Sequence, residues 1–124
     1  MIVGIGVDVI EIDRVRKAIQ SGGDRFVERV YTRAEQEFCR ARIDPVPHFA
    51  VRFAAKEALF KALGTGWAKG VSWQDVEVQR EHPEKPRIVL RGGAQKWSMA
   101  SGVKKVHLSL SHSQHSAIAL VILE

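Results

Sequence analysis

Hydrophobic positions divide the chain into a β-branched opening, a helical middle and an alternating end. Met1 to Ile10 carries Ile2, Val3, Ile5, Val7, Val9 and Ile10, which predicts a buried strand. On a two-residue period Gly4, Gly6 and Asp8 share one face, and Val3, Ile5, Val7 and Val9 the other. Glu11 to Gln20 spaces Ile12, Val15, Ala18 and Ile19 as a helical stripe, with Arg14, Arg16 and Lys17 off it. Ser21-Gly22-Gly23 ends that helix, and Arg25 to Val30 reads as a further helical turn. Thr32-Arg33-Ala34-Glu35 has the form of a capping box and opens a helix from Arg33 to about Ala41. Beyond Pro45 and Pro47, His48 to Leu63 is the longest helix. Phe49, Phe53, Phe60 and Leu63 form its core stripe, alanines allow close packing, and Gly64-Thr65-Gly66 stops it.

The remainder predicts strands. Trp73 to Arg80 alternates Val76 and Val78 with charge, and Pro86 to Arg91 carries Ile88, Val89 and Leu90. Ala94 to Ala100 is a short helix. Val106 to Ser111 and Ala117 to Leu123 form a final pair around the turn Ser113-Gln114-His115-Ser116. The order predicts an α+β fold: an N-terminal strand and helices with an antiparallel sheet. The last two strands are apolar on nearly both faces, which calls for a cover on each. Either the chain's own helices or a neighbouring subunit would supply it.

At 124 residues the chain has the length of one domain, spanning 1–124, with no repeat or linker. Its 45% apolar and 27% charged residues argue against disorder, collagen and coiled coil. The single cysteine, Cys39, rules out an internal disulfide and a CxxC metal site, and suits a reducing cytoplasm. Asp8, Glu11 and Asp13 interrupt any signal-peptide pattern, and no window approaches the ~18 apolar residues of a membrane span. The net charge of +5 favours anionic partners: nucleic acid, phosphate-rich ligands or an acidic protein.

Four features could carry chemistry. Gly4, Gly6 and Asp8 could let a bulky group approach bare backbone with a carboxylate aimed at it. They could equally fit beneath a crossing helix, with Asp8 capping the next one. In the long helix Glu57 and Lys61 lie four apart, which suits either a surface ion pair or a site. In the second case Asp8 and Glu57 would offer oxygen ligands to a hard cation, and Lys61 and Arg52 would hold phosphate oxygens. The segment His107 to Ser113 alternates His107, Ser109 and Ser111 against Leu108, Leu110 and His112. It is a polar hairpin end or a phosphate contact; no GxSxG elbow supports a serine hydrolase, and the histidine spacing does not suit zinc. Finally Arg14, Arg16, Lys17, Arg25, Arg29, Arg33, Arg40 and Arg42 form a basic first third. This is a solvated face or a docking surface for an acidic partner; no aromatic residues interleave as a nucleic-acid stacking platform needs.

Three of these stretches together resemble the holo-acyl-carrier-protein synthase family, the small single-domain class of 4′-phosphopantetheinyl transferase. They are Gly4-Ile5-Gly6-Val7-Asp8-Val9-Ile10-Glu11-Ile12-Asp13-Arg14, then Arg52-Phe53-Ala54-Ala55-Lys56-Glu57-Ala58 running into Lys61-Ala62-Leu63-Gly64-Thr65-Gly66, then Ser109-Leu110-Ser111-His112. The departures are mild: Tyr31 where Phe is expected, Phe60 where smaller residues are common, and Ser113 where an acid or Thr often stands. The resemblance implies transfer of the phosphopantetheine arm of coenzyme A to a serine of apo-acyl carrier protein, with adenosine 3′,5′-bisphosphate leaving, for fatty acid biosynthesis. It implies Asp8 and Glu57 as Mg²⁺ ligands, Lys61 beside the pyrophosphate and Ser111 with His112 at the 3′-phosphate. It implies Arg14 toward the acidic carrier protein, and a homotrimer with its sites between subunits. It implies neither nucleic-acid nor membrane binding. The attacking serine needs a base, and Glu57, a metal-bound water and Lys61 all remain open. The rival reading is a nucleotide- or nucleic-acid-binding module without catalysis, built on the basic helices.

Overall fold

The computed structural model describes residues 1–66, 70–80 and 85–124. Its order is β1 (Gly4–Glu11), α1 (Ile12–Val30), α2 (Arg33–Arg40), α3 (Pro45–Leu63), β2 (Val76–Gln79), β3 (Arg87–Leu90), α4 (Gly92–Ala100), β4 (Val106–His112) and β5 (Ser116–Leu123), with one 3-10 turn at Trp73–Asp75. The α+β expectation holds. Strands β1, β5 and β4 form an antiparallel sheet in that order, and β2 with β3 a separate antiparallel pair.

Helix α3 is the axis of the molecule, buried on nearly every side from Phe49 to Phe60. It opens at Pro45, three residues earlier than the sequence predicts. Asp44 Oδ1 accepts from Val46 N at 3.2 Å, and Pro45 lacks the N–H that a first helical residue leaves unused. Gly64 closes it with φ 76°, a left-handed cap suited to glycine. The two helical pieces expected before Tyr31 form one element bent at Gly23, whose φ is 55° and ψ −142°. The capping box of α2 is complete: Glu35 N donates to Thr32 Oγ1 and Thr32 N to Glu35 Oε1 at 2.9 Å.

The three-stranded sheet lays one face on α3, through Ala117, Ala119, Val121 and Leu123 of β5, all fully buried. Gly4 and Gly6 of β1 turn the same way. A Cβ on Gly6 would run into the Ala58 carbonyl oxygen, and one on Gly4 into that of Ala62. The glycines therefore let strand and helix backbones touch; they do not leave room for a bulky ligand. Nor does Asp8 cap α1, whose first turn has no side-chain cap. The opposite face of β1 is not buried as the sequence predicts. Ile5, Val7 and Val9 are exposed, Val9 to 62%, beside exposed Ile118 and Leu120 of β5. The register Val7↔Leu120 and Val9↔Ile118 makes these one apolar surface. Among the described residues no helix is long and apolar enough to cross a membrane.

Candidate functional site

Where β1 crosses α3 the glycine face continues into Asp8. Lys61 Nζ, on the last turn of α3, donates to Asp8 Oδ1 at 2.9 Å and to Val7 O at 3.1 Å. Asp8 is 15% exposed and Lys61 54%, so the carboxylate is held while the ammonium remains open to solvent. Glu57, half-buried, sits one turn before Lys61 on the same side of the helix. Asp8, Glu57 and Lys61 thus share one crossing, which backbone contact at Gly6 fixes. The donor set suits a hard cation that takes the rest of its shell from phosphates, since Mg²⁺ is commonly held by one or two carboxylates. It does not suit a cage made of protein alone: among the described residues no three His, Cys, Asp or Glu side chains gather.

Arg52, expected with Lys61 to hold phosphate oxygens, does not join this group within the chain. Nine residues separate them, about two and a half turns, so they leave α3 on opposite sides. Arg52 is 2% exposed. Its guanidinium lies 4.3 Å from the Phe38 ring centroid, and Nη1 donates to His48 O at 3.1 Å. Arg42 covers the same ring at 4.0 Å. The His48 ring meets Phe38 and His112 edge-on, at 6.1 and 6.3 Å between centroids. Burial, then the cations Arg52 and Arg42, His112 and Arg80 depress the His48 pKa. Arg52 and Arg80 also line a hollow of about 230 Å³ with Phe38 and Glu77. A second group, basic in character, is therefore built from α2, α3 and the end of β4.

Ser111 and His112 divide between the two faces of the sheet. His112 pairs with Ala117 in the register and turns inward to His48. Ser111 pairs with Ile118 and lies on the outer face beside the apolar surface. Strand alternation points the two side chains to opposite faces of β4.

Sequence reasoning missed the most buried charges. Lys56 and Glu35 are both fully buried and meet at 2.8 Å. Lys56 Nζ also donates to Trp73 O at 3.0 Å and to Val76 O, while Glu35 Oε2 accepts from Val78 N at 2.8 Å. Burial draws the Lys56 ammonium below its usual pKa, and Glu35 opposes that. The pair ties α2, α3 and β2 together directly beside Glu57. A signal existed: in the stripe Phe49, Phe53, Phe60, Leu63, position 56 is the missing core step, so its lysine required a buried partner.

The basic first third is only partly available. Arg16 pairs with Asp44 at 3.0 Å, Lys17 with Asp13 at 3.0 Å, Arg33 with Glu37 at 3.4 Å and Arg40 with Asp24 at 3.6 Å. Arg14 is exposed on α1 and makes no ion pair among the described residues.

Comparison with known proteins agrees along the whole chain. Residues 4–121 match the model of the 4′-phosphopantetheinyl transferase superfamily. The holo-[acyl-carrier-protein] synthase of Koribacter versatilis is 47% identical over 124 residues, covering 100% of this chain and 99% of that protein. The crystal structure of the Neisseria meningitidis holo-[acyl-carrier-protein] synthase superposes with a TM-score of 0.92 at 33% identity, over 100% of this chain and 99% of that one. The Bacillus anthracis enzyme of the same name, solved in complex with CoA (3′,5′-ADP), gives 0.82 at 39% identity over 99% and 96%.

Proposed function

The chain belongs to the holo-[acyl-carrier-protein] synthase family of phosphopantetheinyl transferase enzymes, and from that premise we propose that it transfers the 4′-phosphopantetheine of coenzyme A, with Mg²⁺, to a serine of an acidic apo-acyl carrier protein. The setting is fatty acid biosynthesis in the cytoplasm, where the lone Cys39 stays reduced. The observation that carries the reading is the Asp8–Lys61 pair at an open strand–helix crossing, with Glu57 one turn away.

In this reading Asp8 and Glu57 hold Mg²⁺, which supplies charge neutralisation at the pyrophosphate when bound. The carrier serine oxygen attacks the phosphorus bearing the pantetheine arm. A new P–O bond forms, the bond to the bridging oxygen breaks, and adenosine 3′,5′-bisphosphate leaves. Lys61 turns its exposed ammonium from Asp8 to the pyrophosphate and stabilises the charge gathering on the leaving phosphate. The serine proton passes to a base at the crossing, for which Glu57 is the chain's own candidate, because Lys61 is engaged there as an ammonium.

Arg52 leaves α3 opposite Lys61, and His112 meets His48 thirteen residues, ~20 Å, before Lys61 along that helix, which supports a site completed by another copy. A closed cyclic homotrimer would bring the basic group of one subunit to the Asp8–Lys61 crossing of its neighbour. The outer sheet face supports such an assembly, because Ile5, Val7, Val9, Ile118 and Leu120 form a contiguous exposed apolar surface. Arg14, exposed on α1, would meet the acidic carrier protein. The test is incubation with coenzyme A, Mg²⁺ and apo-acyl carrier protein. The carrier should gain ~340 Da by mass spectrometry, and no gain in the presence of all three overturns the reading.

A further inference from the structure

The second basic group has a hub that neither the motifs nor the comparisons single out. His48 touches it twice. Its main-chain oxygen accepts from Arg52 Nη1 at 3.1 Å, and its ring stands edge-on to His112 at 6.3 Å, backed by Phe38 at 6.1 Å. Arg52 is buried, yet among the described residues its Nε has no hydrogen-bond partner. A buried guanidinium N–H without an acceptor is costly, so the group is incomplete as it stands and an anion nearby would lower that cost. The charges around His48 come from every neighbouring element: Arg52 on α3, Arg42 after α2, Arg80 after β2 and His112 on β4. Asp44 before α3 is the nearby acid, and it is engaged by Arg16. Glu77, which shares the hollow with Arg52 and Arg80, is bound by Thr32 at 2.6 Å, Gln79 at 2.7 Å and Arg91 at 3.3 Å. The cations beside His48 thus outnumber their local acids, as an anion receptor requires.

We propose that His48 is a positioning residue of this group, holding the His112 imidazole with its ring and the Arg52 guanidinium with its carbonyl so that both receive one phosphate monoester. This rests on reading the group as the seat of the 3′-phosphate of coenzyme A. The ring acts by packing, not by charge: burial, then Arg52, Arg42, His112 and Arg80, hold the His48 imidazole below its ordinary pKa and favour its neutral form. A phenyl ring should therefore replace it, whereas a methyl group should not. The main-chain bond to Arg52 survives either change.

The test compares His48→Ala, His48→Phe and His112→Ala with the parent, using coenzyme A and dephospho-coenzyme A, which lacks the 3′-phosphate. His48→Ala should raise KM for coenzyme A roughly 3–10-fold, the scale of one edge-on aromatic contact, with kcat and the KM for dephospho-coenzyme A unchanged. His48→Phe should restore the parent value, and calorimetry with adenosine 3′,5′-bisphosphate against 5′-AMP should show the same order. If His112→Ala discriminates between the two substrates while His48→Ala impairs both equally or neither, His48 has no positioning role. If His48→Phe fails to rescue, the imidazole contacts the phosphate itself and packing is refuted. If His112→Ala also treats both substrates alike, the 3′-phosphate reading falls, and the proposal with it.

Discussion

Adding one methyl group at Gly6 should disable the site without touching any reactive side chain. The new Cβ would meet the Ala58 carbonyl oxygen far inside the 3.0 Å that real Cβ atoms keep, with Ala62 N at 2.9 Å. Both are backbone atoms of α3, so no rotamer change and no substitution on the helix relieves the overlap. Reaching ordinary contact, which begins at 3.4 Å, requires β1 to withdraw from α3 by roughly 1 Å or more. Overpacking of a close contact costs ~1–3 kcal/mol, and a backbone obstacle belongs at the upper end. For a chain of this size ~3 kcal/mol corresponds to a Tm lower by roughly 10–15 °C. The withdrawal carries Asp8 away from Glu57 and Lys61, and a displacement of ~1 Å in a positioned group commonly costs ~10²-fold in rate. Thermal melts and carrier-protein loading at a temperature where the variant remains folded separate the two effects. Gly6→Ala with parent-like Tm and loading rate would refute the backbone-contact account of this strand.

Asp8→Asn and Glu57→Gln should each lower the loading rate ~10²–10³-fold with unchanged melts, and EDTA should abolish loading by the parent; full activity in either variant or in EDTA contradicts this. Lys56→Met strands the Glu35 carboxylate in the core and should cost ~3–5 kcal/mol by urea denaturation; a loss under ~1 kcal/mol would show the pair to be dispensable. Arg14→Glu should raise KM for the carrier protein at low salt and leave KM for coenzyme A unchanged; an unaltered carrier KM removes Arg14 from the docking surface.

Periodicity made most of the elements legible. The Thr32 capping box, the glycine end of α3 and the closing hairpin each follow from local chemistry that operates within a few residues. The candidate site was legible where one element carries its members in order, as Glu57 and Lys61 do, and where strand alternation set Asp8 on the glycine face. It was not legible where direction around an element decides. Arg52 is close to Lys61 in sequence and opposite to it on α3, and adjacent Ser111 and His112 leave β4 on opposite faces. The Glu35–Lys56 pair joins residues 21 apart, so neither residue alone reveals its partner. The exposed valine face of β1 misled for a related reason. Apolar alternation shows that a face needs covering, not whether its own chain covers it.

The central claim is that two groups on opposite sides of α3 make one site by association of copies. Mixing inactive Glu57→Ala chains with His112→Ala chains, at a coenzyme A concentration too low for His112→Ala alone to load the carrier and with subunit exchange verified by native mass spectrometry, tests it most directly. If sites form between subunits, random 1:1 assembly leaves about one site in four with both halves intact, and about a quarter of the parent activity should return. No recovery despite proven exchange, or full activity of the parent as a monomer in sedimentation, would contradict the account.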